Sequence, residues 1–407
     1  MMKFTIKKTN YLLPLIVIIF LASCNNPRPS KSIDIKTQKS IELPYNIDLE
    51  DKIDVDKSVP LSTMGKELEY IPLQTTKSSM LTKINRIELS ADYIFISDFN
   101  KLLQFDRKGK FIRQVGSNGR GPGEYIYVND FCIDEERKKV YVLSWGITAI
   151  LEYDFVGTFI GKSSPLPFQS KQVFVNDSSG FVFHIWDAPD TTIASKNNLY
   201  ITDPKFNILF KIKRHFIRNS NLGIGTTPMY FYNGSLRFEQ FGVDTLYTVK
   251  KDKLEPYAIF DLGQIKMDPN VIFPRPGSLQ EFSNQLKDKL WIENVKENKN
   301  FLFIKLEYGL SDSSKNLIFN KQTSEISSLE NSGFTNDIDG GIPFWPKYIY
   351  SDSILVDYYD ANSFLNKIGK VDSEQQKVKY GDKYIQVEKL ANILDNLANP
   401  ILTILHK

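Results

Sequence analysis

The chain has 407 residues, of which 42% are hydrophobic and 13% aromatic, enough for a large core. Lys and Arg number 51 against 48 Asp and Glu. That balance argues against a dedicated nucleic-acid binder, which concentrates basic excess on one face.

Lys3, Lys7 and Lys8 form a positive start, and Tyr11–Leu21 is an apolar run too short for a comfortable membrane span. Leu21-Ala22-Ser23-Cys24 then matches a bacterial lipobox. Residues 1–23 therefore read as a lipoprotein signal peptide cut before Cys24, whose acyl chains would anchor the protein without a spanning helix. Cys132 is the only other cysteine, so an acylated Cys24 leaves no disulfide within the chain. In its apolar strand Cys132 reads as a small buried hydrophobe. Residues 24–60 are polar, with Pro27 and Pro29 near the start, and read as a tether.

The globular part is expected over 61–375. Leu68–Leu73 is a lone strand, and Pro72 suits an edge position. Short alternating runs rich in aromatic and β-branched residues then recur, separated by Gly, Asp, Asn and Lys turns, as half-buried antiparallel strands do. Tyr93-Ile94-Phe95 leads to Phe105-Asp106-Arg107-Lys108-Gly109-Lys110-Phe111-Ile112. Tyr141-Val142-Leu143 leads to Tyr153-Asp154-Phe155-Val156-Gly157-Thr158-Phe159-Ile160. The two copies lie about 48 residues apart, within the repeat range of four-stranded propeller blades. On this repeat, blade one spans Ile84–Val115, blade two Val128–Gly161, blade three Gln172–Ile212 and blade four Met229–Leu262. Blade five spans Phe301–Leu329 and blade six Asp339–Ile368, with Phe364–Ile368 as a strand. Between blades four and five, Leu279, Phe282, Leu286, Leu290 and Val295 recur near helical spacing, which predicts a helical insertion over about 276–297. A helical extension is expected over 376–407, where Val387, Leu390, Ile393, Leu394, Leu397 and Ile401 form an apolar face and Pro400 kinks or ends it. The fold class is thus all-β: a six-bladed β-propeller with a helical insertion and a C-terminal helix.

Gly119-Arg120-Gly121-Pro122-Gly123-Glu124-Tyr125, followed by Asn129-Asp130-Phe131 and Ile133-Asp134, resembles the signature loop of six-bladed β-propeller lipoproteins of Bacteroidetes. The propellers built from NHL repeats are more distant relatives. The resemblance runs from about Leu68 to about Ile368 and weakens after Gly263. It implies a ring whose lone N-terminal strand completes the last blade. It also implies a cell-envelope compartment. Surface-exported lipoproteins of that group often carry an acidic run after the lipidated cysteine. None follows Cys24, so the expected site is the outer membrane, facing the periplasm.

Candidate site residues fall into four groups. Arg120, Glu124 and Tyr125 are polar groups on a glycine-rich loop that can either present N–H groups to an anion or simply shape a turn. His184, one of three histidines, stands in Phe183-His184-Ile185-Trp186-Asp187 and has no ligand-like spacing to a partner. Trp145, Trp186 and Trp345 are expected in turns or loops, where rigid rings can stack on sugars or anchor a peptide. Arg237 and Glu239 share one face of a strand, either lining the central channel or forming a structural ion pair.

No G-x-S-x-G motif, Cys–His pairing or P-loop is present. The resulting expectation is a non-catalytic binding or scaffold module for a peptide, glycan or envelope protein, attached to the membrane by its lipid. No cofactor is called for. A divalent metal gathered from separate blades stays compatible with the sequence. It belongs to the alternative reading, a metal-dependent hydrolase or lyase like the lactonases among distantly similar propellers.

Overall fold

The computed structural model describes residues 42–407 except 54, 145, 177–179, 186–195, 215–227, 241, 269–278 and 310–312. Six four- to five-stranded sheets succeed one another along the chain as the blades of a β-propeller. Their innermost strands are Arg86–Leu89, Val128–Asp134, Ser170–Asn176, Met229–Tyr232, Leu290–Glu297 and Tyr348–Ser351. Each is followed by antiparallel strands stepping outward. Because neighbours alternate in direction, turns from first to second strand leave on one face of the ring. Turns from second to third strand, and the connections between blades, leave on the other.

The repeated turn has a local cause. Asp106 Oδ1 accepts from the N–H groups of Lys108 and Lys110, both at 2.9 Å. Asp154 does the same for Val156 (3.0 Å) and Thr158 (2.8 Å). Asp203 repeats it in blade three, with Lys205 and Asn207. Each turn needs one left-handed residue, supplied by Gly109 at φ 80° and Gly157 at φ 80°. At Gly109 a Cβ would lie 2.4 Å from the Pro72 carbonyl oxygen, so only glycine lets blade one close on the last blade.

Ring closure follows the expectation for the lone strand. Glu67–Pro72 pairs antiparallel with Ile401–His406, from Ile401 opposite Pro72 to His406 opposite Glu67. Glu67–Pro72 and Ile401–His406 thus supply the outer half of blade six, and Pro72 lies on its outermost strand.

Four differences from the sequence reading concern boundaries. The C-terminal extension over 376–407 holds helices Ser373–Tyr380 and Asp382–Ile393, but Ile401–His406 is a strand, not a continuation of helix. Ile401, Leu402, Ile404 and Leu405 are each at most 1% exposed. A strand covered on both faces loses the alternation that betrays strands, and an apolar run then passes for a helix face. Phe364–Ile368 lies in helix Ala361–Ile368, not a strand. Asp360 caps it, accepting from the Ser363 N–H at 2.8 Å, and Phe364 and Ile368 pack one turn apart.

The insertion is shorter than expected. Its helix is Leu279–Leu286, and Leu290–Glu297 is the inner strand of blade five. A bulge between Ile292 and Asn294 breaks the period of two there. Finally, the far part of the expected tether is folded. Tyr45–Asp48 pairs in parallel with Lys253–Asp261 of blade four, and Asp56–Lys57 with Ile326–Leu329 of blade five. Tyr45, Ile47, Leu49 and Ile53 enter the core between those blades. Tyr45 meets Tyr257 and Phe319 edge-on at 5.5 and 5.3 Å. The alternation of Tyr45, Ile47 and Leu49 carried that signal.

Candidate functional site: the axial channel

The six inner strands surround a channel of 1190 Å³. In each strand alternate residues face the axis, so the channel wall is set by the blade repeat and not by any local motif.

Arg86 dominates one side. Its Nε and Nη2 donate to Glu88 Oε1 at 2.8 and 2.5 Å. Its Nη1 donates to Asp130 Oδ2 at 2.8 Å and to the Val173 carbonyl at 3.0 Å. Asp130 Oδ2 also accepts from the Val173 N–H at 2.8 Å. The guanidinium lies 4.3 Å from the centroid of the Phe174 ring. One planar cation therefore ties blades one, two and three, a use that Arg's fork geometry allows and Lys's does not. Burial opposes its charge, but Asp130 and Glu88 more than offset that and raise its pKa. Burial pushes the Asp130 carboxyl up to about 6 against the pull of Arg86 and two backbone N–H groups. Burial also raises the Cys132 thiol well above its usual range, so that cysteine stays a protonated, packed side chain, as expected of it.

Blade five contributes Asn294 and Lys296 to the channel. Past the bulge, Val295 turns into the core at 0% exposure, and its neighbours Asn294 and Lys296 turn to the axis. Burial, first, and the charge of Arg86 lower the Lys296 ammonium to about 8, with Glu293 and Glu88 acting the other way. Tyr230, Tyr348 and Phe174 supply aromatic wall.

Arg237 and Glu239 do not pair with each other. Arg237 Nε donates to Glu297 Oε1 at 2.8 Å, its Nη1 donates to Thr248 Oγ1 at 2.9 Å, and its guanidinium lies 3.7 Å from the centroid of the Tyr257 ring. Glu297 Oε2 also accepts from Tyr257 Oη at 2.7 Å and from Lys321 Nζ. This buried network joins blades four and five. Glu239 is 1% exposed, and among the described residues neither carboxyl oxygen has a partner within hydrogen-bond geometry. Burial, then the charge of Asp244, raise its pKa well above the carboxylate range, which keeps it neutral.

The signature loop is a turn between blades one and two. Glu124 Oε2 accepts from the Gly121 N–H at 2.7 Å, and a Cβ at Gly119 would collide with that same oxygen at 1.9 Å. Tyr125 is fully buried. Its hydroxyl donates to the Val115 carbonyl at 2.9 Å and accepts from the Leu102 N–H at 3.2 Å. Arg120 is exposed on the loop. Trp345 is 9% exposed and packs with Phe303 and Phe334, while its edge reaches the channel. Trp145, Trp186 and the lipidation residue Cys24 lie outside the described residues. His184 is fully buried in the second strand of blade three, and among the described residues neither ring nitrogen is hydrogen-bonded. Burial, then Lys171 and Arg214, hold it well below the usual histidine range, so it is a neutral core residue. Of the seven candidate residues that are described, only Trp345 reaches the channel wall.

The metal-dependent alternative requires inward-facing His, Glu and Asp from several blades. Among the described residues no group of three or more His, Cys, Asp or Glu is assembled to hold a metal ion.

Sequence reasoning missed Arg86, Asp130, Asn294 and Lys296. The available signal was positional. Once the first strand of each blade is assigned, every second residue in it faces the axis. For blade five that assignment failed because Leu290–Glu297 was read as helix.

A 20% identical protein of Bacteroides fragilis, described as exported, has the same fold, with a TM-score of 0.65 over 89% of this chain and 99% of its own. A member of the DUF4221 family from Bacteroides vulgatus is 13% identical, with a TM-score of 0.45 over 65% of this chain and 84% of its own. No curated protein matches the chain. The model of the family described as domain of unknown function DUF4934 matches residues 44–406. The match spans every blade and the strap on blades four and five, so the chain belongs to the DUF4934 family.

Proposed function

We propose that the protein is a non-catalytic binding module of the bacterial cell envelope, held to the outer membrane by a lipid on Cys24, facing the periplasm, and taking a peptide, glycan or protein partner at its axial channel. The observation that carries this reading is the channel itself. It has 1190 Å³ of space, an aromatic wall, and polar side chains contributed by all six blades. Ligand sites are concave and largely apolar, with a few placed polar groups, and they form where repeated elements converge. Among the described residues no helix is long and apolar enough to cross a membrane.

The test is binding of envelope-derived glycans and peptides to the full-length protein in detergent, read by thermal shift and calorimetry. Gln172 lines the channel. A ligand that binds the parent but not a folded Gln172→Trp variant supports the reading, because the indole takes up part of the channel beside blade three. Equal binding to both would place the ligand elsewhere and overturn it. For the anchor, Cys24→Ser is expected to move the protein from the membrane fraction to the soluble fraction. Unchanged membrane association would remove the lipid from the proposal.

A further inference from the structure

The cations of the channel differ in one respect. Arg86 is satisfied by Glu88 and Asp130, Lys347 by Asp357 at 2.8 Å, and Lys305 lies 3.4 Å from Glu293 and 3.5 Å from Glu307. Lys367 is exposed and left to solvent. Lys296 is sheltered, yet among the described residues it makes no ion pair or hydrogen bond; its ammonium lies 5.6 Å from the centroid of the Tyr230 ring. Two residues along the same strand, and facing the same way, Asn294 keeps a buried side-chain oxygen with no partner among the described residues. An unpaired sheltered cation and an unsatisfied acceptor each cost free energy, and both are relieved by one ligand group.

Building on the channel-binding reading above, we infer that the channel takes an organic carboxylate, its anionic group on the Lys296 ammonium and an adjacent hydroxyl or amide N–H donated to Asn294 Oδ1. One free ammonium balances one negative charge. A dianionic phosphate would be left with excess charge near Glu88 and Glu293, which face the same ammonium. Phe174, Tyr230 and Tyr348 offer ring faces to the body of the ligand. A carboxylate with a neighbouring donor occurs in a hexuronic acid and at the free C-terminus of a short peptide.

Protonation sets a second expectation. Arg86 and Glu88 from blade one and Glu293 from its own blade act on the Lys296 charge, the Tyr230 ring of blade four lies beside it, and Asp130, Cys132, Lys305 and Tyr348 line the same channel. Asp130 titrates below neutrality, and burial raises Cys132, Tyr230 and Tyr348. Lys296, lowered to about 8, loses its charge between pH 7 and 9.5.

The experiment is calorimetry on the full-length protein in detergent at pH 7. D-glucuronate is compared with D-glucose, and the dipeptide Gly-Tyr with its C-terminal amide. The expected result is that one acid binds at least about tenfold more tightly than its neutral counterpart, the size of one charge-assisted contact. Which acid binds identifies the source. Lys296→Met should lose that preference, Lys296→Arg should keep part of it, and affinity for the acid should fall as pH rises from 7 to 9.5. An unchanged melting curve for Lys296→Met separates lost contact from lost fold. Were a neutral ligand to bind parent and Lys296→Met equally, the inference would fail while the channel-binding reading stood. No binding of either acid at about 10 mM, an affinity too weak to matter, would overturn the inference. If the glycan and peptide panel also failed, the wider reading would fall with it.

Discussion

A chain ending at Pro400 is expected not to fold cooperatively. Ile401–His406 is the third strand of blade six, hydrogen-bonded on one side to Ile354–Tyr359 and on the other to Glu67–Pro72. Removing it strips the N-terminal strand of its only sheet partner and opens the ring. Four apolar side chains buried to 1% or less, Ile401, Leu402, Ile404 and Leu405, leave with it. At roughly 1.5–3 kcal/mol for each fully buried Ile or Leu, that is about 6–12 kcal/mol. The whole net stability of a domain is about 5–15 kcal/mol. The truncated protein should therefore show no sharp urea transition and should expose surface that binds hydrophobic dyes. A cooperative melt within a few degrees of the parent would show that closure by the two chain ends is dispensable.

Replacing Glu297 by Ala should cost about 3–5 kcal/mol, the penalty for breaking a buried ion pair from one side. Its side chain is fully buried, and those of Arg237 and Lys321 are only 9% and 5% exposed, so both cations would lose their counter-charge without gaining water. The Tyr257 hydroxyl would lose its acceptor as well. The measurement is the free energy of urea unfolding of Glu297→Ala against the parent. Replacing Arg237, Glu297 and Lys321 together by Met, Leu and Met should recover much of the loss, because no unpaired charge is then left buried. A Glu297→Ala protein within about 1 kcal/mol of the parent would show that water reaches the network and that the network does not bind blades four and five together.

The fold was readable where the chain repeats itself. The Asp–Gly turns after Phe105 and Tyr153 fix their own geometry through bonds from Asp oxygens to the next few N–H groups, and such local chemistry survives in any context. The signature loop was readable for the same reason. Glu124 accepts from Gly121 three residues back, and Tyr125 reaches the Val115 carbonyl ten residues back and the Leu102 N–H on blade one, which also explains why their role is structural.

Misreadings arose where burial or a bulge removed the local pattern. Ile401–His406 is covered on both faces and so shows no alternation. Leu290–Glu297 carries an extra residue that shifts its register. Tyr45–Asp48 alternates clearly, but a strand added in parallel to the outside of blade four has no turn to announce its partner.

By itself, then, the sequence determined that this protein is a ring of six small sheets; the closing strand from its N-terminal half is what the family resemblance implies. Strand period, turn residues and repeat length are properties of neighbouring residues. Only the tertiary structure decided which charges meet. Arg86 finds Asp130 and the Val173 carbonyl across two blade boundaries, and Arg237 finds Glu297 sixty residues on, not Glu239 two residues away. Lys296 is singled out by having no ion pair or hydrogen bond among the described residues, which is visible only once the groups lining the axis are placed together.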